Sequence, residues 1–405
     1  MKKKKFLINS IASAFFVFFL ILGLFFNFAK PTLAQNSKEV YEFGTLLPMT
    51  GPAAWVGEQF LTGVTLAVEE VNGKGGFEGI TLKAVVEDHK ASPKEGANAM
   101  MKLASVEKVP YVISSFTAVT LASQPIAAKN KVLVINVGGT GTELLNKPFL
   151  YNNQIIGDYG LPPLADYFWS NGYRKVATML INNAWGHGTR KSFVDYWKKL
   201  GGTVTTNELF GEGATDFTAQ IAKVKASKPD FLLTSMTGMT GAALLKQIRE
   251  LGINLPIADT PGDPFMYRKV GAAADGVVSV SASIDPNTKT PFARNFLDGY
   301  RKKYNVDPIW NSANCYESVY ILKELISRVK KVGEDYHNGE NLMNALLENP
   351  NFPTVFDTNL RFTEDHAVLK ATSISEAKFR DGKVTIEEVR KISFEEMLRL
   401  VEGLK

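Results

Sequence analysis

The sequence predicts an α/β protein made of two doubly wound, Rossmann-like lobes, each a parallel sheet with helices on both faces. Three observations favour this class. Short apolar runs of strand length alternate with helical periodicity along most of the chain, the alternation restarts after Asp158, and no low-complexity linker separates the two halves. Two such units in series predict two lobes that short crossing segments hold close together.

The first unit follows the N-terminal region. The strand predicted over 41–47 ends at Pro48, and the next helix repeats apolar residues at helical spacing until Gly73. A second helix begins with Pro93, because proline is well tolerated in the first turn of a helix. The other elements predicted for this unit are strands over 80–86, 111–114 and 132–136 and a helix over 121–129.

The second unit repeats the same order, and a helical segment with a final strand pair follows it. Its predicted strands cover 175–181, 204–209, 231–235 and 256–258, and its predicted helices cover 217–226 and 244–251, with further helices through Ala165 and after Trp185. The later helices are predicted over 292–304, 316–332 and 342–347. The dipeptide Asp381-Gly382 joins strands predicted over 371–379 and 384–389 and is typical of a tight hairpin turn.

The N-terminus has the layout of a secretory signal. A basic patch precedes an almost wholly apolar run over 11–28, and the small residue Ala34 follows at a suitable cleavage point. We therefore predict a signal peptide over 1–34 and a mature chain in the periplasm or an equivalent extracellular space. The apolar run approaches the roughly 20 residues that span a bilayer, so an uncleaved anchor is the alternative.

The apparent basic character of the chain belongs to this N-terminal segment. The segment holds five lysines and no acid, so 41 of the 46 basic residues remain against 41 acidic ones. A neutral mature chain gives no electrostatic reason to expect nucleic acid or an anionic membrane as a partner. The single cysteine, Cys315, cannot form an internal disulfide and is predicted to be a small buried side chain on a helix.

The motifs of common enzymes are missing from the sequence. It contains no Gly-x-Ser-x-Gly elbow, no Walker phosphate loop and no His-Glu-x-x-His helix, and its four histidines are scattered. The glycine-rich run at 138–141 lacks both the lysine of a phosphate loop and the spacing of a dinucleotide fingerprint. We therefore predict a binding protein, not an enzyme, with no cofactor and no metal.

Loops at the carboxyl ends of the predicted strands are where an open α/β sheet binds a ligand. Trp55 lies on a Gly/Pro-rich loop after the first strand, where it can form a wall of a ligand site or pack on the helix below. Small and hydroxylated residues follow two other strands, around Thr117 and around Gly138 to Thr140. Backbone N–H groups at a helix start, with hydroxyls beside them, suit a carboxylate. The alternative is that these residues are simple helix caps.

Several short segments also match a known protein family in order and spacing. They are GTLLPMTGPAA at 44–54, Gly63 with AVEEVN at 67–72, LA at 121–122, PIA at 125–127, IN at 135–136, RFT at 361–363 and FRDGK at 379–383. Over nearly all of residues 38–390 the chain resembles the leucine/isoleucine/valine-binding family of periplasmic solute-binding proteins, which have the type I fold.

The resemblance implies an architecture and a function. It places crossings between the lobes near Asn152, Ser281 and Thr363, and hence an N-terminal lobe of 38–153 plus 284–363 and a C-terminal lobe of 154–283 plus 364–405. It implies a monomer that binds an amino acid or related small carboxylate between the lobes and delivers it to the membrane permease of an ABC transporter. A membrane-anchored, ligand-sensing ectodomain is the alternative if the N-terminal segment is not cleaved.

The resemblance also implies a set of ligand-binding residues. The carboxylate seat corresponds to Thr117, Ala118, Gly138 and Thr140, the aromatic walls to Trp55 and Trp185, and the second-lobe positions to Thr237, Asp259 and Asp263. One of the two aspartates is expected to pair with the ammonium group of an amino acid. The aromatic residue often found near Thr237 in the family is absent, so an aromatic or other carboxylate without an amine is the alternative ligand.

Overall fold

The strands form a five-stranded sheet, a seven-stranded sheet and a small three-stranded sheet. The computed structural model describes residues 38–282, 284–357 and 359–404, so the predicted signal peptide at 1–34 lies outside the described residues. From Val40 onward the contacts of the chain define one compact unit, and both large sheets lie within it.

The five-stranded sheet has the order β2-β1-β3-β4-β5, which is a doubly wound order. The pairings of β3 with β1, of β3 with β4 and of β4 with β5 are parallel. Every residue of β3 and β4 is buried, as expected for a sheet covered on both faces. The strands are β1 (Glu39–Leu47), β2 (Ile80–Asp88), β3 (Tyr111–Ser114), β4 (Leu133–Asn136) and β5 (Leu150–Asn152).

The seven-stranded sheet repeats that order in β7-β6-β8-β9-β10 and adds β14 and β15 at the edge next to β10. The first five strands pair in parallel, whereas β14 pairs antiparallel with both β10 and β15. The strands are β6 (Lys175–Ile181), β7 (Thr203–Phe210), β8 (Phe231–Thr234), β9 (Ile257–Asp259), β10 (Val277–Ser281), β14 (Thr372–Arg380) and β15 (Lys383–Ile392). Asp381 and Gly382 turn between the last two strands with positive φ values of 50° and 76°, which confirms the predicted hairpin.

The small sheet lies beside the last strand of the first sheet. It consists of β11 (Asn351–Phe352), β12 (Leu360–Phe362) and β13 (Val368–Leu369), paired antiparallel. The backbone N–H of Asn152 donates to the carbonyl of His366 at 2.9 Å, and the rings of Tyr151 and Phe362 meet edge to face at 5.9 Å. These contacts join the small sheet to β5.

Twelve α-helices cover the sheets in the described part of the chain. They are α1 (Ala54–Gly73), α2 (Pro93–Ser105), α3 (Thr117–Lys129), α4 (Gly157–Ser170), α5 (Ala184–Lys199), α6 (Thr218–Ala226), α7 (Gly238–Glu250), α8 (Pro264–Val270), α9 (Pro291–Tyr304), α10 (Trp310–Lys331), α11 (Gly339–Glu348) and α12 (Phe394–Leu404). We call the five-stranded sheet with α1–α3 and α9–α11 the first lobe, and the seven-stranded sheet with α4–α8 the second lobe. Among the residues described, no helix combines the length and apolar character needed to cross a membrane.

Helix α10 packs along α1 and starts earlier than the sequence predicts, at Trp310 instead of Tyr316. Its N-cap is Ile309, which makes no side-chain cap hydrogen bond, so the start has none of the usual sequence signals. Cys315 lies on this helix and is fully buried, as predicted, and burial raises the pKa of its thiol.

A buried polar cluster lies where the chain passes between the lobes. We call Lys370, Glu317, Asn153 and Asn314 the hinge network. The Lys370 ammonium donates to Asn153 Oδ1 at 3.1 Å, Asn314 Oδ1 at 2.6 Å and Glu317 Oε2 at 3.1 Å. The other carboxylate oxygen of Glu317 accepts from Thr354 Oγ1 at 2.5 Å and from Val355 N at 2.9 Å. Burial lowers the pKa of Lys370, while the adjacent Glu317 favours the ammonium form.

The passages between the lobes follow from the order of the elements. The chain leaves the first sheet after Asn152, returns to the first lobe between Ser281 and Pro291, and enters the seven-stranded sheet again at Thr372. The last passage therefore lies next to Lys370, after β13 of the small sheet, and not at Thr363, which lies between β12 and β13. The predicted lobe limits at 153, 283 and 363 stay predictions.

Candidate functional site

The two lobes enclose a cavity of about 320 Å³ between them. Loops at the carboxyl ends of the strands of both large sheets line it, and among them those after β1, β3, β6 and β8 flank the points where the strand order of each sheet reverses. Open α/β sheets bind ligands at such switch points, outside the carboxyl ends of the strands. The site lies between the two lobes because two switch points face each other.

The structure brings most of the predicted site residues together. Those that line the cavity are Trp55, Thr117, Ala118, Gly138, Trp185, Thr237 and Asp263. Thr140 and Asp259 are buried behind the lining and do not reach the cavity. A ligand contact for any of these residues stays a prediction, but the seven that line the cavity lie where such a contact can form.

The start of α3 forms part of the first-lobe wall. Phe116 is the N-cap residue, has a positive φ of 67° and makes no side-chain cap hydrogen bond. The first N–H groups of any helix have no partner within the helix, so those of Thr117 and Ala118 are available at the cavity. A Cβ on the neighbouring Gly138 would lie 2.5 Å from the Phe60 ring, so this loop requires glycine to pass so close.

The Thr117 hydroxyl fixes the second loop of the predicted seat. Its oxygen accepts hydrogen bonds from the backbone N–H groups of Thr140 and Gly141, each at 3.1 Å. The Thr140 N–H is therefore already used within the protein, and the Thr140 hydroxyl is buried without a hydrogen-bond partner. Thr140 lies behind the lining of the cavity, and the ligand contact that the resemblance implies for it stays a prediction.

The two aspartates of the second-lobe wall are held by the protein itself. Asp259 is fully buried and accepts from Met236 N at 2.9 Å and from the Tyr267 hydroxyl at 2.5 Å. Asp263 is 8% exposed and caps α8 by accepting from Met266 N at 2.9 Å. Burial raises the pKa of Asp259 to about 7 and that of Asp263 to about 6. The two carboxylates that are expected to pair with an ammonium group therefore already accept hydrogen bonds from backbone N–H groups and a hydroxyl of the protein.

Aromatic side chains join the two lobes across the rim of the cavity. The ring of Trp55 in the first lobe stacks on that of Phe265 in the second, with 4.9 Å between centroids and 22° between planes. The indole N–H of Trp310 donates to the carbonyl of Gly262 at 3.0 Å. Trp55 thus both lines the cavity and contacts the second lobe, and its role as a wall for a ligand stays a prediction.

Several residues of the site were not found from the sequence. Trp310 and Asn311 line the cavity from the start of α10, where the sequence analysis placed no helix. His89 lies below the seat, where its Nδ1 accepts from Ala91 N at 3.0 Å and its Nε2 therefore donates to Ser115 Oγ at 3.1 Å. Burial lowers the pKa of His89 to about 4, so the ring is neutral near pH 7.

Within the described ranges, no group of three or more His, Cys, Asp or Glu side chains is arranged to hold a metal ion. The polar groups that face the cavity are N–H donors, hydroxyls, amides and a few charged side chains at its edge. This lining suits recognition of a small organic molecule by hydrogen bonds and apolar contact.

Comparison with known proteins agrees with this geometry. The family described as periplasmic binding protein matches residues 40–383. A Leu/Ile/Val-binding protein, BraC3, of Rhizobium johnstonii is 26% identical over 351 residues, which cover 85% of this chain and 93% of that protein.

Solved structures share the fold at lower identity. A leucine-binding protein, LivK, of Thermotoga maritima superposes with a TM-score of 0.79 at 22% identity and covers 87% of this chain and 99% of its own. A solute-binding protein of an ABC transporter from Rhodopseudomonas palustris BisB5, in complex with 3,4-dihydroxybenzoic acid, gives 0.76 at 21% identity and covers 87% and 97%. The two lobes therefore have the type I fold that the sequence predicts.

Proposed function

This chain belongs to the periplasmic binding protein family, and we propose that it is the extracytoplasmic solute-binding component of an ABC importer. The ligand that we propose is a small organic carboxylate with an apolar body, held between the two lobes. The observation that carries this proposal is the uncapped start of α3 at the cavity, with Thr117 and Ala118 in its lining. A helix N-terminus without a side-chain acceptor attracts an anion.

The rest of the lining supports an apolar ligand body. The rings of Trp55, Phe60, Phe116 and Trp185 surround the same cavity. Its volume of about 320 Å³ lies at the small end of the range for ligand pockets, so a compact organic acid fits better than a peptide or a nucleotide. Of the relatives compared, one is a leucine-binding protein and one holds a dihydroxybenzoic acid, and both of these ligands are small carboxylates.

The transport step that we propose is hinge closure. A ligand seated on the first lobe is covered when the second lobe approaches, and Trp55 then meets Phe265 while Trp310 meets Gly262. The closed complex is the form that a permease would recognise. Bending at a few element-terminal residues is the usual basis of such motion.

The experiment that tests the carboxylate seat removes one backbone donor. Ala118→Pro deletes the second N–H of α3, and proline is compatible with the first turn of a helix. Isothermal titration should show a loss of roughly 10- to 150-fold in affinity, the usual worth of a hydrogen bond to a charged group. Glu395→Pro, at the second position of α12, is the matched control and should bind normally. Unchanged affinity in Ala118→Pro would overturn the seat.

A further inference from the structure

Asn311 is a buried polar residue of the cavity to which the sequence analysis gave no role. The residue is 5% exposed and lines the cavity. Within the described part of the chain, its side-chain amide makes no hydrogen bond. Its amide oxygen and nitrogen are both still accessible to solvent. The amide therefore faces the space of the cavity with a free donor and a free acceptor. Buried amides in folded proteins are normally hydrogen-bonded, so this one is expected to have a partner there.

The position of Asn311 follows from its neighbour one turn along α10. Asn314 Nδ2 donates to the carbonyl of Val137 at 3.0 Å, and Gly138, the next residue after Val137, lines the cavity. Residues three apart in a helix share a face. Asn311 lies one turn closer to the N-terminus of α10 on that face, and so it borders the cavity near the carboxylate seat.

The electrostatics of this position favour an oxygen over an ammonium group. α10 is 22 residues long, and its N-cap makes no side-chain hydrogen bond, so its partial positive charge is not offset there. The acids that face the cavity are Asp263, which caps α8, and Glu212, whose Oε1 accepts from Asn183 Nδ2 at 2.5 Å. Among the described residues of the lining, Lys90 is the cation. Glu212 is exposed, and Asp263, the buried acid, already accepts from Met266 N, so a buried ammonium beside Asn311 would compete for a carboxylate that is already bonded, which is costly.

We propose that Asn311 hydrogen bonds an oxygen substituent next to the carboxylate of the ligand, and that the preferred ligands are 2-oxo or 2-hydroxy acids. This inference rests on the proposed function, because it takes the ligand carboxylate to lie at the start of α3. The amide nitrogen donates to a carbonyl or hydroxyl oxygen, and the amide oxygen accepts from a hydroxyl. Asn311 is then a specificity-determining residue that distinguishes these acids from the corresponding amino acids.

The test uses acids that differ only in that substituent. Isothermal titration compares 4-methyl-2-oxopentanoate, 2-hydroxy-4-methylpentanoate, leucine and unsubstituted 4-methylpentanoate, and repeats the series with phenylpyruvate, phenyllactate, phenylalanine and 3-phenylpropanoate. In at least one series the oxo or hydroxy acid should bind about tenfold more tightly than the unsubstituted acid, the worth of one net hydrogen bond. The amino acid should bind more weakly than both.

The variant Asn311→Leu should remove this preference. It replaces the amide by an apolar group of similar size, so the unsubstituted acid should bind at least as tightly as the oxo acid, an inversion that misfolding cannot produce. Asn311→Ser serves the same purpose if the leucine variant is unstable. Asn295→Leu, an exposed change on α9, is the control and should keep the preference. Preference for the amino acid in the unmodified protein, or an unchanged ratio in Asn311→Leu, would overturn the inference. If no acid of either series binds, the proposed function fails, and this inference fails with it.

Discussion

Asn311 and Asn314 lie one turn apart on α10, both buried, and their surroundings differ completely. The Asn314 amide donates to Val137 O at 3.0 Å and Gln154 Oε1 at 2.8 Å and accepts from Lys370 at 2.6 Å. Asn311 has no such partner in the described chain and faces the cavity. One helix thus connects a hinge network whose hydrogen bonds are complete with a cavity wall that leaves groups uncommitted. Complete pairing indicates a structural role, and uncommitted groups indicate a place for a ligand.

Lys370→Met is the strongest test of the hinge network. This change leaves Glu317 buried without its cation, so the free energy of unfolding should fall by about 3–5 kcal/mol in urea denaturation. Lys191→Met removes an exposed ion pair with Asp195 and should cost less than about 1 kcal/mol. If the two variants lose equal stability, the hinge network is not the structural element that we describe.

On the cavity side, Thr117→Val should have the next largest effect. It removes the oxygen that accepts from Thr140 N and Gly141 N and leaves two buried donors unpaired. We expect a loss of at least about 2 kcal/mol in unfolding free energy, since each of the two unpaired buried groups costs about 1–3 kcal/mol. The matched change Thr140→Val removes only a hydroxyl that has no partner and should be nearly neutral. A larger loss from Thr140→Val would reverse our assignment of the two threonines.

The pH dependence of stability tests the aspartates of the opposite wall. Burial raises the pKa of Asp259 to about 7, so the folded protein binds this proton more tightly than the unfolded chain. The contribution is present at low pH and is lost as pH rises through about 7, by on the order of 1 kcal/mol between pH 6 and pH 8. Asp259→Asn should lack this pH-dependent contribution. The difference between the curves of unfolding free energy against pH for the unmodified protein and the variant therefore isolates it. His89, with a pKa lowered to about 4, acts in the opposite direction and cancels in that difference.

The smallest effect is expected where the two lobes touch. Phe265 is 40% exposed and stacks on Trp55 without lining the cavity, so Phe265→Ala should weaken ligand binding only by opening the closed form. An aromatic pair contributes about 0.5–1.5 kcal/mol, so stopped-flow measurements should show dissociation up to about tenfold faster with association unchanged. Val306→Ala, on an exposed valine elsewhere, is the control. An unchanged dissociation rate would show that the stack does not hold the lobes together.

The fold could be predicted from the sequence because its signals are local. Alternating strand and helix periods, a glycine after α1, Pro93 at the start of α2 and the Asp381-Gly382 turn each act within a few residues. The parallel order of the two sheets then follows from the general rules for α/β units.

The site was predicted only in part, because its polar groups depend on tertiary contacts. The loops after β1 and β3 could be located from strand ends, and their residues line the cavity. Asn311 was missed since α10 starts without a capping residue, and the missing cap is itself what leaves this helix end open to the cavity. The capping role of Asp263 could have been predicted from the sequence. An aspartate directly before a proline is typical of a helix N-cap, and Asp263 has this role before Pro264.

The buried position of Cys315 has a practical consequence. It is the only cysteine of the chain, it is fully buried, and its thiol stays protonated at neutral pH because burial raises the pKa. Thiol-reactive dyes should therefore not label Cys315 in the folded protein. A cysteine introduced at Met239, half exposed at the edge of the cavity, would take up a dye alone. The emission of that dye would then follow the approach of the two lobes, so that the protein becomes an optical sensor for its own ligand.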